Sequence, residues 1–159
     1  MVNFNEQYYK GIWGEDGVHR HDYCDSLADF LIEKYGKVKM LDIGTGCGYL
    51  VKCLRDRGIE AYGIEISDYA IENSCAKGYV VKCSVEDIPF KDNMFGLVHS
   101  IGLWEYVDNV ELAVKEVYRV GKEQKHIIDT LECSIYPEFQ IENPKPRKWW
   151  DEILKIKTE

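Results

Sequence analysis

Apolar positions along this chain follow two alternating rhythms. Short runs rich in β-branched and aromatic residues are separated by longer stretches with apolar residues three and four apart. Val38–Ile43, Glu60–Ile66, Tyr79–Cys83, Phe95–Ile101 and His126–Leu131 read as strands. Between them lie helical patterns. Asp22 is placed to cap a helix whose apolar face is Tyr23, Leu27, Phe30 and Leu31. Leu50, Val51 and Leu54 mark the next helix, ended by Gly58. Ser67 is an N-cap for the third, with Ala70, Ile71, Ser74 and Cys75 on one side and Gly78 beyond its end. Asp108 and Glu111 form a D-x-x-E variant of the capping box, followed by a stripe of Val110, Val114, Val117 and Tyr118 and closed by Gly121. Strands alternating with helices predict an α/β fold: a doubly wound, mostly parallel sheet of about five strands. After Leu131 the pattern changes. Asn143-Pro144-Lys145-Pro146 breaks regular structure, and Arg147–Lys157 reads as a terminal amphipathic helix.

A length of 159 residues is enough for one domain with a real core. The expectation is a single domain over 1–159, with an N-terminal cap segment at 1–21 and a loop and helix at 133–159. The formal net charge of -8 weighs against nucleic acid, whose phosphates call for a basic face. No apolar run approaches the roughly 18 residues of a membrane span. Met1–Glu6 lacks a basic stretch followed by an apolar one, so the expected compartment is the cytoplasm. Cys24, Cys47, Cys53, Cys75, Cys83 and Cys133 form no C-x-x-C pair and read as small buried hydrophobes. His19-Arg20-His21 lacks a third partner for a metal, and none is expected.

The chemistry concentrates in Leu41-Asp42-Ile43-Gly44-Thr45-Gly46-Cys47-Gly48, which follows a strand and opens a helix. Its glycines let the backbone turn sharply and approach a ligand, and the helix start supplies free N–H groups. A dinucleotide fingerprint is G-x-G-x-x-G. Here the pattern is G-x-G-x-G, with Tyr49 where that fingerprint has its third glycine. Asp42, two residues before the first glycine, repels a pyrophosphate but suits the ammonium end of an amino-acid-like ligand, directly or through water. Both departures favour S-adenosylmethionine (SAM) over NAD. The competing reading is a tight strand–helix turn without a ligand. Glu65, about 20 residues beyond the loop, ends the second strand, where a carboxylate accepts both ribose hydroxyls. It reads alternatively as an exposed strand-end acid. In Val85-Glu86-Asp87-Ile88-Pro89-Phe90, a side-chain carboxylate can accept from an adenine amino group while Ile88 packs on the ring. Asp87 alone is equally a solvated loop acid.

Taken in order, the glycine loop, Glu65, Glu86–Phe90, Phe95–Val98 and Leu103-Trp104-Glu105-Tyr106-Val107 resemble the motifs of class I SAM-dependent methyltransferases, over roughly residues 35–132. The group of small-molecule enzymes related to quinone and sterol methylation is the nearest in pattern. The resemblance implies SAM as cofactor, with S-adenosylhomocysteine as product. It places Gly44, Thr45, Gly46 and Gly48 along the methionine part, Glu65 and Ile66 at the ribose, Glu86, Asp87 and Ile88 at the adenine, and Ser100 nearby at the end of the fourth strand. N-terminal aromatics in such enzymes close over the cofactor, which nominates Tyr8, Tyr9 and Trp13; packing on the sheet edge is the alternative. Gly96 stands where the family often has Asp, and Tyr106 where it often has His. Only about 28 residues follow Leu131, so the family's final two strands are expected to be missing and the fifth strand to form an edge. The apolar tail residues Trp149, Trp150, Ile153, Leu154 and Ile156 are expected to cover that edge, within the chain or across a homodimer.

The methyl group of SAM is already activated, so a general base is needed only for a nucleophile protonated at neutral pH. Tyr106, His99, His19 and His21 are candidates, and His99 reads equally as a core residue. The expected function is methyl transfer to a small molecule. A SAM-binding domain without catalysis of its own is the alternative, and an NAD-dependent oxidoreductase is disfavoured. The acceptor is not legible, because fold does not fix function.

Overall fold

A computed structural model of the chain describes residues 4–13, 18–127, 148, 152 and 153. The elements run α1 (Glu6–Trp13), α2 (Val18–Tyr35), β1 (Met40–Ile43), α3 (Tyr49–Asp56), β2 (Ala61–Glu65), α4 (Asp68–Glu72), β3 (Val80–Lys82), β4 (Phe95–Ile101), a 3₁₀ turn (Trp104–Tyr106), α5 (Val110–Val120) and β5 (Gly121–Ile127). The five strands form one sheet in the order β3-β2-β1-β4-β5. Every pairing is parallel. This is the doubly wound α/β architecture expected from the alternation of patterns.

Side chains of a strand point alternately to its two faces, so β1 to β4 each contribute to two cores. On one face, Leu41, Ile43, Ile64 and Val98 pack against Val110, Ala113, Val117 and Val120 of α5. On the other, Met40, Ala61 and Leu97 pack against Leu27, Ala28 and Leu31 of α2 and Leu50, Val51 and Leu54 of α3. Full burial of each large aliphatic side chain contributes about 1.5–3 kcal/mol. Trp104 is fully buried, and its indole N–H donates to Ser100 Oγ at 2.9 Å, which removes the cost of burying that polar group.

Several local expectations are corrected. The buried face of α2 is Cys24, Leu27, Ala28 and Leu31, while Tyr23 (46%) and Phe30 (44%) are exposed. Small residues set this face because α3 approaches closely, and the helix begins at Val18, before Asp22. Helix α4 stops at Glu72, well before Gly78. The cap of α5 is Asn109, whose side chain accepts from Leu112 N–H, and Asp108 precedes it. The buried stripe of α5 is Val110, Ala113, Val117 and Val120, and Tyr118 is exposed. The fifth strand begins at Gly121, directly where α5 ends, and Gly121 pairs with Phe95. Its sequence is mostly polar, so the hydrophobic pattern points instead to His126–Leu131. The first three strands are one or two residues shorter at their ends than their apolar runs.

Among the described residues, β5 is a sheet edge and no helix is long and apolar enough to cross a membrane. Most of the tail lies outside the described residues. Lys148, Glu152 and Ile153 are helical, and Ile153 packs against the core on the α5 face. The described cysteines are all free thiols.

Candidate functional site

The strand order reverses direction at β1, between β2 and β4. In open α/β sheets ligands bind outside the carboxyl ends of the strands at such a point. The glycine loop leaves β1 there. Gly44, Gly46 and Gly48 all adopt positive φ (69°, 56° and 77°), a region that side chains with a Cβ rarely enter. The loop is anchored to β2: Gly44 and Thr45 both donate their N–H to Ile64 carbonyl oxygen, at 3.0 and 3.1 Å. Gly63 lets this happen, since a Cβ there would lie 2.5 Å from Thr45 Cγ2.

Glu65 closes the loop from the β2 side. Its carboxylate accepts from Gly46 N–H at 2.8 Å, Ile66 N–H at 2.8 Å and Ser67 N–H at 2.9 Å. Burial pushes its pKa up, the Asp42 charge adds to that rise, and the three N–H groups oppose it. Asp42 is itself buried, and its carboxylate meets His99 Nδ1 at 2.9 Å. Two buried carboxylates thus flank the glycine loop, and among the described residues neither has a lysine or arginine partner. Asp42, Gly44 and Thr45 line a pocket with Cys24, Tyr49 and Ile101. Thr45 Oγ1 is buried there without a hydrogen-bond partner among the described residues.

Helix α1 lies over this region. Ser67 Oγ donates to Phe4 carbonyl oxygen at 2.5 Å while also accepting from Ala70 N–H as the cap of α4. Tyr9 packs with Cys47 of the loop and with Ala70, and its ring stacks on Tyr69 at 5.8 Å. Tyr8 hydrogen-bonds Tyr106, and Phe4 meets the Tyr106 ring edge-on at 5.5 Å. Burial, with Tyr106 and Tyr9 adding to it, holds the Tyr8 hydroxyl far above the usual phenol range. Tyr9 thus packs beside the glycine loop, and Tyr8 beside Tyr106. The side chains of Trp13, His19 and His21 lie outside the described residues.

The loop after β3 is held by α5. Ile88 N–H donates to Glu116 Oε2 at 2.9 Å, and Arg119 donates to the carbonyl oxygens of Ile88 and Phe90 at 2.8 and 2.7 Å. Arg119 also pairs with Glu116 and Asp92. Glu86 accepts from Asn109 N–H at 2.9 Å. Asp87 is exposed, whereas Ile88 is buried in the core. Ile66 is exposed beside Glu65. Ser100 is buried, accepting from Trp104. His99, in contrast, is core and site at once, since it is buried yet bonded to Asp42. Sequence reasoning missed the Arg119–Glu116 clamp and the Asp42–His99 pair. The first had a faint signal in its i, i+3 charge spacing; the second depends on register between β1 and β4, where Asp42 and His99 are partners.

Residues 41–128 match the family model of the methyltransferase domain, and the chain belongs to that family. Its fold is the Rossmann-like fold of SAM-dependent methyltransferases. A proposed SAM-dependent methyltransferase from Methanococcus maripaludis superposes with a TM-score of 0.75 at 19% identity, over 98% of this chain and 85% of that one. The PH0226 protein of Pyrococcus horikoshii superposes with a TM-score of 0.71 at 19% identity, over 95% and 89%. The sterol 4-C-methyltransferase strm-1 of Caenorhabditis elegans is 28% identical over 100 residues, which is 57% of this chain. The chain spans 30% of the length of that curated relative.

Gly96 also finds an explanation. A Cβ at that position would lie 2.6 Å from Val38 Cβ. Glycine at 96 is thus a packing feature at the base of β4, far along the strand from the glycine loop.

Proposed function

We propose that this chain is a single SAM-binding domain, 1–159, that transfers the methyl group of SAM to a small-molecule acceptor. The observation that carries this reading is the pair of buried carboxylates, Asp42 and Glu65, flanking a loop of positive-φ glycines at the reversal point of the sheet. An anionic pyrophosphate is repelled there. A ligand with an ammonium, a sulfonium and a ribose satisfies both carboxylates and offsets their mutual repulsion. When bound, SAM supplies a methyl group already activated by its sulfonium.

The protein's part is to bind, orient and exclude water. Gly44, Thr45, Gly46 and Gly48 bear on the methionine part, with Asp42 toward its ammonium. Glu65 and Ile66 take the ribose. Glu86, Asp87 and Ile88 form the adenine end, where the exposed Asp87 is the group available to a ligand and the buried Ile88 underlies the loop. Ser100 supports the end of β4. Tyr8, Tyr9 and Phe4 cover the loop and shield the transfer from solvent, and Tyr106 lies on the acceptor side. Such positioning supplies several kcal/mol of the barrier, up to about 7–11. The sterol methyltransferase relative and the cap of aromatic residues support a small organic acceptor.

Calorimetry with SAM, S-adenosylhomocysteine and NADH tests the reading. Micromolar binding of the first two, on the order of -8 kcal/mol, with no binding of NADH is the expected result. Tight NADH binding, or none of the three, overturns it.

A further inference from the structure

His99 is the feature that methyl transfer as described leaves unused. It is 1% exposed and lies in the middle of β4, a position the strand pattern assigns to an apolar side chain. A buried imidazole costs free energy unless both ring nitrogens are used. Here Nδ1 meets Asp42 Oδ1 at 2.9 Å, and Nε2 has no partner among the described residues. A valine or isoleucine at 99 would pack the same face without that cost. What the histidine adds is its contact with Asp42.

An ionised carboxylate has only acceptors, so the ring must donate from Nδ1. That hydrogen bond fixes the rotation of the Asp42 carboxylate. Asp42 lines the pocket beside Gly44 and Thr45, and His99 does not. The other carboxylate oxygen of Asp42 is the one left for a ligand. Glu65 resists reorientation because three backbone N–H groups hold it. Asp42 has no such backbone support; among the described residues its side chain has His99 as its hydrogen-bond partner.

We propose that His99 is a positioning residue for the cofactor's amino-acid end: it holds Asp42 aimed at a ligand ammonium and acts only through that carboxylate. The inference rests on the cofactor reading above and adds a specific division of labour. The Asp42–His99 pair recognises the aminobutyrate end, and the remainder of the site recognises the nucleoside. His99 therefore affects ligands that carry the ammonium and spares those that do not.

The test uses the full chain and two probes, S-adenosylhomocysteine and 5′-methylthioadenosine, which shares the nucleoside and sulfur but lacks the amino-acid end. His99→Leu should weaken S-adenosylhomocysteine about tenfold, the lower end for losing a hydrogen bond to a charged group, and leave methylthioadenosine within about twofold. His99→Asn places an amide donor near the Nδ1 position and should recover most of the loss. In an Asp42→Asn background, His99→Leu should cause no further change in the ratio of the two affinities. If His99→Leu does not fold, His99→Gln, which moves the donor beyond reach of Asp42, is read the same way. Equal loss of both ligands, or loss of neither, overturns the positioning role. If the parent binds neither ligand, the cofactor reading fails and this inference falls with it.

Discussion

Substituting Gly63 by alanine probes how the glycine loop is held in place. The new Cβ would lie 2.5 Å from Thr45 Cγ2, 2.9 Å from Thr45 Cβ and 3.0 Å from Thr45 Oγ1. Ordinary van der Waals contact needs roughly 3.5–4.0 Å between carbons, so about an ångström must be found. It cannot come from β2, which is bonded on both sides: Gly63 is paired with Asp42 and with Val80. A rotation of the Thr45 side chain relieves Cγ2 and Oγ1 but not Cβ, so the loop backbone must lift away from β2. Overpacking of this kind costs about 1–3 kcal/mol. For a domain of this size each kcal/mol lowers Tm by about 2–4 °C, so a fall of roughly 2–12 °C is expected. The displacement also strains the bonds from Gly44 and Thr45 to Ile64 and from Gly46 to Glu65, which shape the binding surface. Affinity for S-adenosylhomocysteine should fall at least about tenfold, beyond what a remote defect of equal stability cost produces. Thermal melting and calorimetry on Gly63→Ala, and on Gly63→Ala with Thr45→Gly, measure both effects. The second substitution removes the three clashing atoms and should restore part of the stability. A Gly63→Ala protein with unchanged Tm and unchanged affinity would refute the argument that this glycine seats the loop.

Further outcomes follow from the same geometry. Gly46→Val, at a φ of 56°, should abolish S-adenosylhomocysteine binding in calorimetry, and parent-like affinity would mean the loop is wrongly assigned. Glu65→Ala should cost about 1.5–3 kcal/mol of affinity for the same ligand, the scale of a hydrogen bond to a charged group. Because burial raises the Glu65 pKa, its contribution to stability is complete below the unfolded value near 4.3 and is lost as pH rises through the folded value. The stability of Glu65→Gln relative to the parent, from denaturant titrations without ligand, should therefore improve as pH rises above about 4.3; an opposite trend would count against the buried, ionised carboxylate. Removing the residues after Asn143 deletes Ile153, which packs on the α5 face, and should lower Tm or cause aggregation; a soluble, equally stable product would show that the tail is dispensable.

The parallel α/β architecture, the glycine loop and the carboxylate at the end of β2 were legible because each rests on local chemistry: an alternation of patterns, a turn that needs glycine, an acid at a strand end. What the sequence hid was decided by neighbours distant along the chain. Fold and face differ most at α2, where Cys24 and Ala28 are buried and Phe30 is not, because the partner helix selects small residues over large ones. Strand β5 was displaced because its residues, Gly-Lys-Glu-Gln-Lys-His-Ile, earn their place through backbone pairing with β4 and carry little hydrophobic signal. The contacts of Arg119 with the loop after β3 and the His99 contact join residues 27 to 57 positions apart, and no periodicity announces such pairs.

The contact between Gly96 and Val38 carries a consequence for the history of such chains. The two positions share one volume, with 2.6 Å between a hypothetical Cβ at 96 and the actual Cβ at 38. A relative that keeps an aspartate at the position of Gly96 cannot also keep a valine at 38 with this backbone; it needs a smaller residue there or a shifted approach to β1. The pair should therefore covary, and a route between the two states passes more easily through a small residue at both sites than through a large residue at both. A single Gly96→Asp substitution should then fail here, and the same change should be tolerated once Val38 has been replaced by glycine.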